Sequence, residues 1–246
     1  MGSTTPHSAS GAATPRPLVA GIDGAPGGWV VVTVTVDGHD AAEVQLVPDL
    51  LGVMARIDDG TLAAVAIDIP IGLAPDCARR ADVEARQRLG SRRSSVFPAP
   101  VRPVLTASTY EEACALSRAA CGKAISKQLF NILPKIREVD ALVTPQRQRR
   151  LFEMSPELSL ALLTGAPMAH PKATAAGLAE RIDALGRVFG AEEIERHLRQ
   201  PPRGARRDDI LDAFAGAWTA RRRAATQHLQ LGGDVDARGL RMEVIA

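Results

Sequence analysis

Hydrophobic residues in the first part of the chain follow the spacings typical of β-strands. The unbroken apolar run from Val19 to Ile22 predicts a buried strand, and the β-branched residues of Trp29 to Val36 predict a second strand after a glycine-rich turn. Glu43 to Val47 follows a polar turn and predicts a third strand of the same meander. The continuous run from Leu62 to Ile67 is typical of a central parallel strand that is covered on both faces.

Helical spacing dominates the rest of the pattern. Pro48 to Ile57 has apolar residues at helical intervals and a proline suited to a helix start. Cys77 to Val143 is arginine-rich and mostly of helical character, with a break at the string SSVFPAPVRP. This stretch is too long for an ordinary connection between strands, so we expect a helical insertion at about residues 76–150 that carries function or specificity.

Beyond the insertion, the pattern predicts two short strands and three helices. The strands are expected at Leu151 to Met154 and Leu240 to Ile245, and the helices at Ala173 to Phe189, Glu192 to Leu198 and Asp208 to Arg223.

The order of these elements predicts an α/β fold with a ribonuclease-H-like mixed sheet flanked by helices. A three-strand antiparallel meander precedes the parallel strands, whereas a doubly wound Rossmann sheet would begin strand, helix, strand. The glycine-rich hairpin at Ala25 to Gly28 carries this distinction. We expect a single domain over residues 18–246, and a disordered tail over residues 1–17 because that segment is small and polar.

Composition and charge narrow the functional classes only partly. The chain has 46% hydrophobic residues, enough for a full core, and 30 Lys+Arg against 28 Asp+Glu, so net charge alone does not mark a nucleic-acid-binding protein. The first residues contain no apolar segment that would form a signal peptide or membrane span. Cys77, Cys114 and Cys121 lack zinc-binding spacing, and we interpret them as reduced thiols of a cytoplasmic protein.

Two aspartates stand at the ends of predicted neighbouring strands. Asp23 ends the first strand within a glycine-rich turn, and Asp68 follows the fourth strand in the string AIDIP. Asp23 either caps the tight turn or helps to hold a cation. If the two strands are parallel neighbours, both carboxylates lie at the carboxyl edge of the sheet, where open α/β sheets place their chemistry. Close carboxylates repel unless a cation intervenes, and Mg²⁺ takes oxygen ligands.

Further acidic candidates come from the later helices. Asp209 and Asp212 are three residues apart, so they share one face of the last helix. Capping explains Asp209 as readily as metal binding does, whereas Asp212 lies among apolar residues and needs a partner. Glu157 either adds a ligand or begins a helix after Pro156, where an acid is favoured in any case.

Basic and hydroxyl side chains supply candidates for substrate binding. The turn Gly90 to Phe97 is polar and basic, so it either grips phosphates through side chains and backbone amides or forms a solvated loop. Three lysines, Lys123, Lys127 and Lys135, recur among apolar residues of the following stretch, which is usually typical of a helix with one solvated face. The candidate substrate-binding residues are Arg92, Arg93, Ser94, Ser95, Lys123 and Lys127.

Seven strings resemble, in order, the landmarks of the family called domain of unknown function 429. They are GIDGAPGGWV, AIDIPIGL, EARQRLGSRRSSVFPAP, GKAISKQ, PKIREVD, EMSPELS and DDILDAFAGAWTA, and together they span Leu18 to Ile245. Members of that family are described as predicted ribonuclease-H-like nucleases. One departure is Ser155, because the family usually shows His-Pro-Glu where this chain has Ser-Pro-Glu.

The acidic pattern is also similar to that of RuvC-type Holliday-junction resolvases. These enzymes carry an aspartate at the end of strand one, an acid at strand four and an Asp-x-x-Asp pair on the last helix. Mapped by motif, the corresponding residues here are Asp23, Asp68, Asp209 and Asp212.

The resemblance implies a divalent-metal-dependent nuclease that hydrolyses phosphodiester bonds by a two-metal mechanism. Mg²⁺ or Mn²⁺ would be held by the four aspartates, with Glu157 in reserve, and the partner would be nucleic acid. Apolar helices of the insertion could pair two chains as a homodimer. One alternative is an actin-like ATP-binding phosphotransferase, although the chain has no second GIDG-like half. Another is a non-catalytic ribonuclease-H-like binding or regulatory module whose acids bind metal only for stability.

Overall fold

The computed structural model of the chain describes residues 16–38 and 40–246. The predicted tail lies almost wholly outside the described residues, so its disorder stays a prediction. Five strands form one mixed sheet in the order β3-β2-β1-β4-β5. They are β1 (Leu18–Ala25), β2 (Gly28–Thr35), β3 (Glu43–Val47), β4 (Leu62–Ile67) and β5 (Leu151–Glu153).

Strand directions in this sheet match the predicted layout. β1 pairs antiparallel with β2, and β2 pairs antiparallel with β3, so these strands form a meander. β1 pairs parallel with β4, and β4 pairs parallel with β5. The predicted α/β class and its mixed sheet, antiparallel at first and then parallel, are confirmed.

Helices flank the sheet on both faces. In chain order they are α1 (Leu51–Asp58), α2 (Arg80–Leu89), α3 (Tyr110–Cys121), α4 (Lys127–Leu142), α5 (Pro156–Thr164), α6 (Ala175–Phe189), α7 (Ala191–Arg199) and α8 (Arg207–Ala224). Short 3-10 turns at Gly90–Ser95 and Arg102–Thr106 lie between α2 and α3, where the sequence predicted a break in the insertion. None of the helices in the described part of the chain is both long and apolar enough to cross a membrane.

Two strands after α8 form a second sheet. The predicted terminal strand is β7 (Arg241–Ile245), and it pairs antiparallel with β6 (Gln230–Val235), which the sequence pattern did not predict. β6 contains two successive glycines, and a Cβ on Gly232 would lie 2.5 Å from the Met242 carbonyl oxygen. The glycines interrupt the alternation by which strands are recognised, so this element has little local pattern.

Alternate residues of β1 face two hydrophobic layers. Ala20 and Ile22 belong to a core formed with α1, α3 and α4, whereas Val19 faces the core formed with α6, α7 and α8. The sheet is therefore buried on both sides, as an unbroken apolar strand requires.

A glycine contact sets the distance between α8 and the sheet. A Cβ on Gly21 would lie 2.0 Å from the Ala213 carbonyl oxygen, and one on Gly216 would lie 2.9 Å from the Gly21 Cα. No larger side chain fits at this crossing, so α8 lies directly on β1. Asp212 and Asp209 lie one and two turns before Gly216 on the same helix face, and the contact therefore directs them toward the end of β1.

Candidate functional site

Asp23 and Asp68 lie side by side where the parallel pairing of β1 and β4 ends. Ile22 pairs with Ile67, and the Asp68 N–H donates to the Ile22 carbonyl at 3.0 Å. Both side chains are partly buried. Within residues 16–38 and 40–246, neither carboxylate accepts a hydrogen bond or forms an ion pair. These two acids therefore have oxygen atoms that the fold itself does not use.

Helix α8 adds two buried carboxylates to this edge. Asp209 accepts a hydrogen bond from the Arg206 N–H at 2.8 Å, so the predicted capping role of Asp209 is confirmed. Asp212 lies one turn further along, and its Oδ2 is 3.0 Å from the Lys172 Nζ. The partner that the sequence required for Asp212 is therefore a lysine from the loop before α6.

The four aspartates line one cleft of about 670 Å³ at the carboxyl edge of the parallel strands. Its walls also include residues of the turn at 90–95, of α4 and of the loop before α6. The predicted candidates that line it are Asp23, Asp68, Asp209, Asp212, Glu157, Arg92, Ser94 and Ser95. Residues far apart in sequence therefore share a single cavity.

Burial and mutual repulsion raise the pKa values of these acids. Burial, followed by the charges of Asp212 and Asp68, raises the pKa of Asp23 well above its ordinary value. Burial and the charge of Asp212 raise the pKa of Asp68 to about 8. Burial also raises the pKa values of Asp209 and Asp212, although Lys172 opposes this for both. A cation in the cleft would favour the charged forms, so the acids have an electrostatic reason to bind one.

The donor chemistry fits a hard divalent ion, although the ligands are not preassembled. Asp23 and Asp68 offer carboxylate oxygens, which Mg²⁺ and Mn²⁺ prefer. Glu157 Oε2 is buried and has no hydrogen-bond partner in the described structure. Across the described ranges, no three His, Cys, Asp or Glu side chains already lie in an arrangement that holds a metal ion.

Glu157 is held by arginines. Its Oε1 accepts a hydrogen bond from the buried Arg181, and Arg92 Nη2 lies 4.0 Å from its Oε2. Glu157 also lies in the first turn of α5, as its position after Pro156 predicted. One Glu157 oxygen is therefore committed to an ion pair, and its role as a reserve metal ligand stays a prediction. Ser155, at the position of the family histidine, lines the cleft and caps α5 without a side-chain hydrogen bond.

Three predicted substrate-binding residues lie outside the cleft. Arg93 and Lys123 are exposed and do not line it. Lys127 begins α4 and places its ammonium 4.5 Å from the centroid of the Tyr110 ring, which holds it against an aromatic surface instead. The structure thus places these three candidates outside the cleft, and substrate binding by them stays a prediction.

Two lysines in the cleft were not among the predicted site residues. Lys135 donates to the Gly28 carbonyl, stands 4.2 Å from the Trp29 ring centroid and lines the cleft. Burial lowers its pKa. A proline inside α4, immediately before Lys135, is the one local feature that sets it apart from an ordinary surface lysine.

Lys172 is positioned by a braced loop. Glu180 accepts hydrogen bonds from the N–H groups of Ala169 and His170 at 2.7 and 3.0 Å, and Arg181 donates to the His170 carbonyl at 3.3 Å. A lone lysine in such a loop carries no sequence pattern, so only the tertiary structure reveals it.

Another buried arginine fixes the end of β5. Arg79 forms ion pairs with Asp82 at 2.6 Å and with Glu153 at 2.7 Å, and it also donates to the Ile71 carbonyl at 3.1 Å. Glu153 therefore uses its carboxylate to attach the insertion to the sheet. Although it lines the cleft, it is not a free ligand.

Comparison with known protein families supports the resemblance found in the sequence. The profile described as "Protein of unknown function (DUF429)" matches residues 21–237. No curated protein matches the chain, and no solved structure does. Because the profile covers most of the chain, including β1, the insertion and α8, the protein belongs to the DUF429 family of proteins of unknown function.

Proposed function

We propose that the protein is a divalent-metal-dependent nuclease that hydrolyses phosphodiester bonds of nucleic acid in this cleft. The observation that carries the proposal is the convergence of Asp23, Asp68, Asp209 and Asp212 on one cavity that also contains Arg92. Mg²⁺ or Mn²⁺, when bound, would supply a water of lowered pKa and stabilise charge on the phosphate. The RuvC-like spacing of the four aspartates supports the same reaction class.

The residues of the chain have distinct roles in this proposal. Asp23 and Asp68 hold the ion, because their carboxylates are otherwise unused. Asp209 keeps one oxygen on the helix cap and turns the rest of its carboxylate to the cleft. Arg92 contacts the phosphate of the substrate, since a guanidinium binds phosphate with paired hydrogen bonds.

Lys172 affects how many divalent ions the cleft can bind. Its ammonium already compensates Asp212, and its charge also favours ionised Asp68. One divalent ion with Lys172 in place supplies three positive charges against the four aspartates, and two ions without Lys172 supply four. A second ion that binds Asp212 through Oδ2 would therefore take the place of Lys172.

Cellular location and assembly remain proposals from sequence. The three cysteines are unpaired, with Cys77 exposed and Cys114 buried, which agrees with reduced thiols in a cytoplasmic protein. The homodimer stays a prediction, as does nucleic acid as the partner.

A cleavage assay tests the proposed function. Purified protein is incubated with labelled single strands, duplexes, hybrids and junctions in Mg²⁺, Mn²⁺ or EDTA. We expect metal-dependent cleavage that Asp23→Asn abolishes without a change in circular dichroism. Asp208→Asn is the matched control, since Asp208 neighbours Asp209 on α8 but does not line the cleft, and it should cleave like the wild type. Equal cleavage by Asp23→Asn contradicts the assignment.

A non-catalytic binding module is the second candidate. The Lys172–Asp212 ion pair favours it, because a chain that carries its own counter-ion can keep the cleft stable without a metal. Stabilisation by Mn²⁺ without cleavage of any nucleic acid would support the module over the nuclease. No observation in the described structure favours the actin-like phosphotransferase.

A further inference from the structure

One aromatic ring stands exposed in the wall of the cleft. Phe97 lines the cavity with 46% of its surface exposed, and it is the only exposed large aromatic residue of the described chain. Aromatic residues are only 3% of the sequence, and the others are buried or partly buried. The fold leaves nearly half of this residue uncovered, although burial of a phenylalanine side chain is worth about 1.5–3 kcal/mol.

The backbone on both sides of Phe97 is anchored, so the exposure is built into the fold. Val96 is buried, and its carbonyl accepts a hydrogen bond from Arg86 at 2.8 Å. The Ala99 N–H donates to Asp82 Oδ2 at 3.0 Å, and Asp82 is itself paired with the buried Arg79. Pro98 lies between these anchors and restricts the backbone further. The backbone that carries the ring is therefore held in place beside the cleft.

A positively charged side chain, that of Arg92, lies in the same short segment as Phe97. Arg92 also lines the cleft, and its buried Nε has no hydrogen-bond partner. Its Nη2 donates a long hydrogen bond, 3.4 Å, to the His170 carbonyl and lies 4.0 Å from Glu157 Oε2. Ser95 Oγ donates to the Arg92 carbonyl at 2.6 Å and holds the turn. One wall of the cleft thus presents a guanidinium and an aromatic face five residues apart in sequence.

We propose that Phe97 stacks on an unpaired base and that the cleft takes single-stranded nucleic acid, with Arg92 on its backbone phosphate. This inference rests on the proposed function and names its substrate class. In a duplex, base faces are occupied by their neighbours, whereas a single strand offers free faces to an aromatic ring. A single strand alternates phosphates with bases, and these two groups match the guanidinium of Arg92 and the ring of Phe97. Such stacking tolerates any base, so the preference is for strandedness and not for sequence.

The test measures binding of fluorescein-labelled single strands and matched duplexes by anisotropy, using the Asp23→Asn protein so that no substrate is cleaved. We expect tighter binding of the single strand. Phe97→Ala should weaken that binding about 5- to 150-fold, the effect of losing one stacked base, and Phe97→Trp should restore it. Duplex binding should be the same in all these proteins. Val83→Ala is the matched control, because Val83 is also an exposed apolar residue but lies outside the cleft.

The outcomes separate this inference from the proposed function. If a folded Phe97→Ala protein binds the single strand as tightly as its parent, the inference is overturned. It is also overturned if the substitution weakens duplex binding as much as single-strand binding. In both cases, cleavage by the wild type would still support the nuclease. Strand binding that depends on Phe97 without cleavage by the wild type supports the inference and contradicts the nuclease. Absence of binding to either nucleic acid contradicts both.

Discussion

The ammonium of Lys172 lies 3.0 Å from Asp212 Oδ2, so the acidic cleft contains a positive charge supplied by the chain itself. The same cleft is lined by Asp23, Asp68, Asp209 and Glu157, and by the cations Arg92 and Lys135. Lys172 therefore competes with any divalent ion for Asp212.

Lys172→Met should strengthen binding of Mn²⁺. Removing one unit charge near the acids changes the electrostatic free energy by about 1–4 kcal/mol, so we expect binding at least about fivefold tighter. Isothermal titration calorimetry measures both affinity and stoichiometry. A second ion bound only by Lys172→Met would show that the lysine occupies an ion position. Lys123→Met is the control, since Lys123 is exposed and outside the cleft. Identical titrations for all three proteins would contradict this account of Lys172.

Asp68 should make the metal-free protein less stable as the pH rises. Its pKa is about 8 in the folded protein, above the value of about 3.9 for an unfolded aspartate. Between these values the folded state binds more protons, so the free energy of unfolding falls with rising pH. Asp68→Asn removes this contribution. At pH 8 it should raise the free energy of unfolding by at least about 1 kcal/mol, roughly 2–4 °C in Tm.

The comparison requires melting curves of both proteins in EDTA from about pH 5, just above the pKa of the unfolded state, to about pH 9, just above that of the folded state. The difference between Asp68→Asn and wild type should grow with pH. Asp208→Asn should leave the slope of the wild type unchanged. Parallel stability profiles for Asp68→Asn and wild type would disprove the raised pKa.

The contact between α8 and β1 should not tolerate a methyl group. In Gly216→Ala the new Cβ would lie 2.9 Å from the Gly21 Cα, so the helix must move away from the strand. Overpacking of this kind costs about 1–3 kcal/mol, which urea unfolding would detect. The movement also shifts Asp212, so Mn²⁺ affinity should fall as well.

Gly52→Ala is a matched control for this substitution. Gly52 lies in α1, and a Cβ there meets nothing within 4 Å. Alanine should therefore stabilise the protein by about 0.5–1 kcal/mol through helix propensity. If both glycine variants were equally stable, the close approach of α8 to β1 would be wrong.

The ion pairs of Arg79 should be essential for stability. Arg79→Ala would leave Glu153 and Asp82 buried without their partner, which costs about 3–5 kcal/mol. Arg187→Ala is the control, since the Arg187–Asp183 pair is mostly exposed and such pairs contribute about 0–1 kcal/mol. Urea unfolding distinguishes the two. A small loss for Arg79→Ala would mean that the insertion is attached to the sheet by other contacts.

Much of the fold could be predicted because its pattern is local. The strands β3 and β4 have the bounds that alternation and apolar runs indicated, and their directions follow from the hairpin between β1 and β2. β6 was missed because its paired glycines remove the alternation that identifies a strand. β6 forms because it pairs with β7. The sequence pattern of β6 alone does not reveal that pairing.

The acids of the site were predictable for a related reason. Asp68 and Asp212 interrupt apolar patterns, so local structure does not explain why an aspartate stands at either position. A shared functional site does explain both. Lys172 and Arg181 stand in a loop and on a helix face where such residues are common. Their importance comes from contacts with Asp212 and Glu157, which only the folded chain brings within reach.

Asp23 and Asp68 should share a divalent ion. Anomalous diffraction from a crystal equilibrated with Mn²⁺ above pH 8, where Asp68 is ionised, tests this without intermediate steps. We expect an anomalous peak between the two carboxylates, which disappears in Asp23→Asn crystals. A cleft without any peak, with both carboxylates unligated and Lys172 still on Asp212, would contradict it.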